Sequence, residues 1–161
     1  MDRIYKSSFG ALLRNFIYTI VVIALGIFLV VGGIGLALLK LDKEVIFSPV
    51  AIGIYGGLDL LVAFYFSFIR HNITVRISKE EVSLLKGEKI HLNFKVKEYF
   101  FTSYVFRQIT PVGIFTSRSL RVINKETGKH KDRQLYFSKK NFEELIAVVT
   151  SLNEENNDAE V

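Results

Sequence analysis

Residues 16–39, FIYTIVVIALGIFLVVGGIGLALL, residues 40–44, KLDKE, and residues 45–69, VIFSPVAIGIYGGLDLLVAFYFSFI, decide the class of this chain. The two apolar runs hold 24 and 25 residues and are separated by five polar ones. A helix of about 20 apolar residues crosses the hydrocarbon core of a bilayer, so each run is long enough. Neither shows the polar stripe of a helix buried in a soluble bundle. The first run is too long for the apolar core of a signal peptide, and no A-x-A-like site follows it. The expectation is a two-span transmembrane hairpin, with spans at 16–39 and 45–69.

Basic residues set the expected orientation. Arg3, Lys6 and Arg14 precede the first run, and Arg70, Arg76, Lys79 and Lys86 follow the second. The connecting turn offers only Lys40 and Lys43, offset by Asp42 and Glu44. Both termini are expected on the cytoplasmic side, with the turn outside. Residues 1–15 read as a basic lead, an interfacial helical turn with Phe9, Leu12 and Leu13 toward lipid.

The rest of the 161-residue chain is enough for one small domain. Its charge is polarised. Residues 70–140 hold 16 Lys and Arg against 6 Asp and Glu, a net of +10, while residues 141–161 hold 6 acidic residues and no basic one. A basic domain tethered at a membrane suits anionic lipid headgroups, at about 1 kcal/mol per nearby Lys or Arg. Positive-inside bias and solubility alone account for the same charge. The chain contains no cysteine, which excludes disulfides and thiolate metal sites.

After residue 69 the apolar period changes from helical to two. Ile73, Val75 and Ile77 alternate with polar residues, and Val82 to Leu85 follows as a second short strand. A turn at Lys86-Gly87-Glu88-Lys89 leads to Ile90, Leu92, Phe94 and Val96, the cleanest alternation in the chain. An aromatic strand over 99–109, a break at Thr110-Pro111-Val112-Gly113, a strand over 114–123, a turn at 124–128 and a strand over 129–137 come next. Phe142, Leu145, Ile146, Val149 and Leu152 form an apolar stripe at helical spacing, with Asn141 and Glu144 as a capping box. Residues 153–161 are acidic and Asn-rich and are expected to be disordered.

This order, six or seven antiparallel strands and then one amphipathic helix, resembles a pleckstrin-homology-like domain. The run from Arg133 to Leu145, RQLYFSKKNFEEL, looks like its last strand and capping helix. The whole plan is similar to small bacterial two-span membrane proteins with a cytoplasmic pleckstrin-homology-like domain. The resemblance implies an α+β membrane protein: the hairpin at 16–69, then an antiparallel barrel or sandwich with a C-terminal capping helix at 70–152. It implies a multi-pass protein of the bacterial inner membrane with a scaffold or interaction role. It carries over no binding residues, and the basic phosphoinositide motif of eukaryotic members is absent.

Asp59 is the only Asp, Glu, Lys, Arg or His inside either run. A charge at the centre of a span costs about 2.5–3.5 kcal/mol on insertion scales, so such a residue faces protein or water. It can bond Thr19 or Tyr18 of the first span, contact a partner or second copy, or carry a proton or ion. Gly53 and Gly57 form a small-xxx-small pair. With Asp59 they are the candidate intramembrane contact, though packing of the two spans on each other is the commoner use of such glycines. Gly26, Gly32, Gly33 and Gly35 lie in the first run.

In the domain, Lys95, Lys97 and Arg107 flank the aromatic cluster Tyr99, Phe100, Phe101, Tyr104 and Phe106. Half of those rings point inward in any strand and fill the core. Arg107 and Arg118 flank an apolar loop at 110–115, an insertion element or an ordinary turn. Lys125, Lys129, Lys131 and Arg133, with His130, make a basic hairpin, of the kind that protects sheet edges. These eight cations are the candidate contact for anionic lipid or a partner.

For catalysis the reading is empty. No G-x-S-x-G, H-E-x-x-H, Walker-type or G-x-G-x-x-G motif occurs, and no cofactor or metal site is expected. The function expected is non-enzymatic: a membrane-anchored binding, scaffold or regulatory subunit of a membrane protein complex. The alternatives are a membrane immunity protein against a toxin and a peripheral sensor of anionic lipids. Expected partners are anionic lipid headgroups and a membrane protein or a second copy, and no nucleic acid.

Overall fold

A computed structural model describes residues 2–34, 37, 43–110 and 113–158. The chain is α+β: two apolar helices, two antiparallel sheets and a C-terminal helix. It divides into two compact units, residues 13–70 and residues 1–12 with 71–161.

The helical unit begins inside α1 (Phe9–Ile27), which continues as a π-helix over Phe28–Ile34. A single turn, α2 (Lys43–Ile46), precedes α3 (Pro49–Phe64), which also ends as a π-helix, Tyr65–Arg70. Ser48 caps α3 by accepting from the Ala51 amide at 3.2 Å. Pro49 occupies the first helical position, where its missing N–H costs nothing. The two long helices, Phe9–Gly33 and Pro49–Arg70, have mean hydropathies of 2.6 and 1.7 and are long and apolar enough to cross a membrane. The first starts seven residues before the expected span. Ser8 explains this: its side chain accepts from Ala11 N and its carbonyl from Leu12 N, a cap the apolar pattern does not reveal. Of the expected 40–44 turn, residues 40–42 lie outside the described residues, as do Gly35, Pro111, Val112 and residues 159–161.

The β unit holds seven strands in two sheets. One has the order β1-β2-β3-β4 and the other β5-β6-β7. The strands are β1 (Arg3–Lys6), β2 (Thr74–Ile77), β3 (Glu81–Lys86), β4 (Lys89–Lys95), β5 (Tyr99–Thr110), β6 (Gly113–Asn124) and β7 (His130–Gln134). Residues 3–6 are therefore a strand, not the interfacial turn of a basic lead. Tyr5 lies opposite Val75 and enters the core with it. Ser7 extends the seam, donating to Ile73 O at 2.9 Å and accepting from Ile73 N at 3.0 Å.

The two-residue turn between β3 and β4 needs Gly87 in the left-handed region, at φ +61. The cleanest alternation in the sequence buries only its second half. Phe94 and Val96 are buried, while Ile90 is largely exposed. A register shift between Leu84 and Leu85 carries Ile90 past the core at the hairpin end of an edge strand.

The core joins Val75, Val82, Leu84, Phe101, Leu120 and Val122 of both sheets to one face of helix α4 (Lys139–Asp158). Phe142, Leu145, Val149 and Leu152 supply that face, with Ile146 at its margin. The cap is Ser138, not Asn141. The Ser138 side chain accepts from Asn141 N at 3.2 Å and its carbonyl from Phe142 N at 3.0 Å. Residues 153–158 continue the helix instead of forming a disordered tail. Asn153 is buried and bonded to the backbone of Phe101 on both sides.

Candidate functional site

Asp59 is a buried carboxylate on an apolar helix. It is 5% exposed, on the face of α3 that also buries Ala63. Its Oδ1 has no hydrogen-bond partner among the described residues. A bond from Thr19, one of the options open to it, is absent: Thr19 Oγ1 donates to Asn15 O, four residues back on its own helix, at 2.8 Å. A buried acceptor left unpaired costs about 1–3 kcal/mol, and more when it is charged. The carboxylate opens on an apolar groove of about 380 Å³ whose walls include Ala24, Phe28, Gly32, Phe47, Tyr55 and Gly56.

The structure separates the three residues grouped as an intramembrane contact. At about 100° per residue, Gly53 and Gly57 stand roughly 120° and 160° around the helix from Asp59. Both are exposed, and a Cβ added at either would meet no atom within 4 Å. They do not pack the two helices together. Among the described residues Gly32 is the buried glycine, with the Phe47 ring 3.8 Å from where its Cβ would stand.

A polar contact joins the helices elsewhere. Asn15 Nδ2 donates to Ser67 Oγ at 2.8 Å, both residues buried, beside the Phe16 and Phe68 rings at 5.6 Å. Sequence reasoning missed this pair because Asn15 precedes the apolar run and was counted with the basic lead. The helix start at Ser8 was the available signal.

The eight candidate cations do not form one surface. Lys95 is exposed and pairs with Glu98 at 3.3 Å. Lys97 sits exposed in the same β4–β5 turn, and the Lys125 amide reaches that turn by donating to Glu98 O at 3.0 Å. Lys129 and Lys131 are exposed at the start of β7. Arg133 is half-buried opposite Leu120, and its Nε has no hydrogen-bond partner among the described residues. Arg107 and Arg118 stand on one face of the β5–β6 ribbon, and the register puts Arg133 and Lys131 of β7 on that same face, with Arg133 diagonal to Arg118.

That ribbon sorts its side chains cleanly. Tyr99 and Phe101 face the core, while Phe100, Tyr104 and Phe106 are on the other face and exposed. On that outer face Arg121 lies 4.3 Å over the Tyr104 ring and grips Asp132 with two bonds of 2.7 Å. The Arg121 bonds hold the Asp132 carboxyl below the usual carboxylate range. Burial pushes the Tyr136 hydroxyl up to about 12, and its ring stacks on His71 at 4.7 Å.

Among the described residues no group of three or more His, Asp or Glu is placed to hold a metal ion. No protein-family model, no curated protein and no solved structure matches the chain.

Proposed function

We propose that this is a bacterial inner-membrane protein that acts by binding, as a scaffold or regulatory subunit of a membrane protein complex and not as an enzyme. In this reading the two apolar helices cross the bilayer as a hairpin, with both termini cytoplasmic. The β unit is a pleckstrin-homology-like domain. Its four-stranded and three-stranded sheets and closing helix support that assignment. The hairpin is then an insertion between the first and second strands of the domain.

The observation that carries the binding role is the unpaired, buried Oδ1 of Asp59 at an apolar groove. In lipid an unsatisfied carboxylate is expensive, and a neighbouring helix that brings a hydrogen-bond donor or a cation removes the cost. Gly56 on the groove wall lets such a helix approach closely. The occupant is a transmembrane segment of a partner with a polar or basic residue at mid-membrane depth.

A photocrosslinking amino acid at Tyr55, on the groove, tests this beside one at Leu61, which is exposed on the opposite face of α3. In native membranes the Tyr55 position should trap one partner in defined stoichiometry, and the Leu61 position should not. Equal trapping of many proteins from both positions would refute the reading. Trapping of the chain by itself would make the partner a second copy.

A further inference from the structure

The β5–β6 ribbon runs past the sheet it belongs to. β7 pairs with Ser119–Ile123, and Leu135 N just past it donates to Arg118 O at 2.8 Å, so the rungs from Phe106↔Ser117 to Thr110↔Gly113 carry no third strand. On one face Val105 and Arg118 stand at the root of this arm, followed by Arg107 and Thr116, then Ile109 and Ile114. The terminal isoleucines are 87% and 74% exposed. The opposite face adds Phe106, 48% exposed. An arm that exposes two isoleucines at its end and Phe106 on its other face is costly to leave in water.

Arg107 and Arg118 are diagonal neighbours on one face, about 7–8 Å apart at the backbone and within joint reach of one anion. Neither makes an ion pair or side-chain hydrogen bond within the described structure. The groove of about 500 Å³ beneath them is floored by Val105, Phe142 and Ile146. Its lone carboxylate, Glu143, faces Lys139 at 3.8 Å. Two unpaired guanidiniums between an apolar tip and an apolar floor match an anionic amphiphile.

We propose that the β5–β6 arm docks into the bilayer surface, with Arg107 and Arg118 holding the phosphate of an anionic phospholipid and Ile109 and Ile114 immersed beyond it. This rests on the membrane-anchored reading, which supplies the ligand. Two residues of strand separate Arg107 from Ile109, about 7 Å. That matches the 5–10 Å depth at which apolar side chains sit below headgroups. Shallow insertion also leaves the ribbon's unpaired edge groups at the level of interfacial water, where they remain satisfied.

The chain has no cysteine, so Ile114→Cys places a single nitroxide label at the tip of the full-length protein. The labelled chain is reconstituted into nanodiscs of phosphatidylcholine, with or without phosphatidylglycerol, and its collision with oxygen and with a water-soluble nickel chelate is measured. With phosphatidylglycerol the label should become oxygen-accessible and nickel-protected, as a group in lipid does. Arg107→Gln with Arg118→Gln should lower the inserted-to-free ratio about 30-fold, at roughly 1 kcal/mol per arginine near an anionic surface. A label at Glu88→Cys, in the β3–β4 turn, should stay aqueous.

A tip label that stays nickel-accessible in phosphatidylglycerol discs overturns the proposal, as does insertion that ignores both arginines. Inorganic phosphate that expels the label would assign the arginines to a soluble phosphate and overturn the lipid assignment. Failure of the chain to enter nanodiscs, scored separately by co-elution with lipid, would overturn the anchored reading itself.

Discussion

The side-chain amide of Asn153 closes both backbone groups of Phe101: its Nδ2 donates to Phe101 O at 2.6 Å and its Oδ1 accepts from Phe101 N at 3.2 Å. Phe101 is the third residue of β5, at the free edge of its sheet, where a neighbouring strand would otherwise supply those bonds. Asn153 does for one residue what a strand does for several, and it ties the C-terminal turns of α4 to that edge. Asn153→Ala leaves a buried N–H and a buried C=O unpaired and should cost about 2–4 kcal/mol. Thermal unfolding of the full chain in detergent should show the loss, and Asn153→Asp should recover part of it, since its carboxylate can still accept from Phe101 N. An unchanged melting temperature in Asn153→Ala would contradict this account.

Tyr5 belongs to the core although about 70 residues separate it from its strand partner Val75. Tyr5→Ala should destabilise the β unit by about 3–5 kcal/mol, the usual loss for a buried aromatic ring. Ile4→Ala, one residue away and 58% exposed, should cost under about 0.5 kcal/mol. Hydrogen exchange at β2 amides reads both. Equal effects would mean that β1 is not part of the sheet.

Much of the β unit is legible locally. The turns at 86–89 and 124–128 and the inward stripe of α4 follow from period and turn chemistry. β1 is not, because Arg-Ile-Tyr-Lys carries one inward residue and its partner lies beyond two long helices. Asn153 reads as part of a polar tail because its bonds are to backbone, which leaves no trace in composition. In the two apolar runs Asp59 is conspicuous as the sole charge, and helical spacing alone turns it away from Gly53 and Gly57; what spacing does not reveal is that both glycines are exposed and pack against nothing within 4 Å. The eight cations look like one basic face in composition; the structure puts Lys95, Lys97 and the Lys125 backbone about the β4–β5 turn, while Arg107, Arg118, Lys131 and Arg133 share a face of the second sheet.

Tyr136 sets an alkaline limit. Its hydroxyl ionises near 12 in the folded chain and near 10 when exposed, so between these values the unfolded chain loses a proton that the folded one keeps. Stability then falls as pH rises through that window, by up to about 3 kcal/mol. Tyr136→Phe should flatten this part of a denaturation-against-pH curve. A curve of the same slope in both proteins would argue against burial as the cause.

Asp132 sets an acid limit of opposite sign. Its carboxyl is held low by Arg121, so the ion pair contributes fully above the ordinary carboxylate pKa and is lost as pH falls through the lowered value. Asp132→Asn should lower stability at neutral pH and leave a shallower acid slope. Identical acid slopes would show that the pair is not coupled to folding.

Asp59→Leu separates a binding residue from a structural one. Replacing a buried, unsatisfied carboxylate with a hydrocarbon should leave the helical unit as stable or raise its stability by about 2–3 kcal/mol. If the same variant unfolds the helices, Asp59 serves the hairpin and not a partner.

The direct test is co-purification from native membranes of the wild-type chain and of Asp59→Leu, with each protein's melting temperature measured alongside. The account predicts a stoichiometric membrane partner with the wild type. That partner should be lost from Asp59→Leu, with no fall in melting temperature. Retention of the same partner by Asp59→Leu, or its loss only together with the fold, would contradict it.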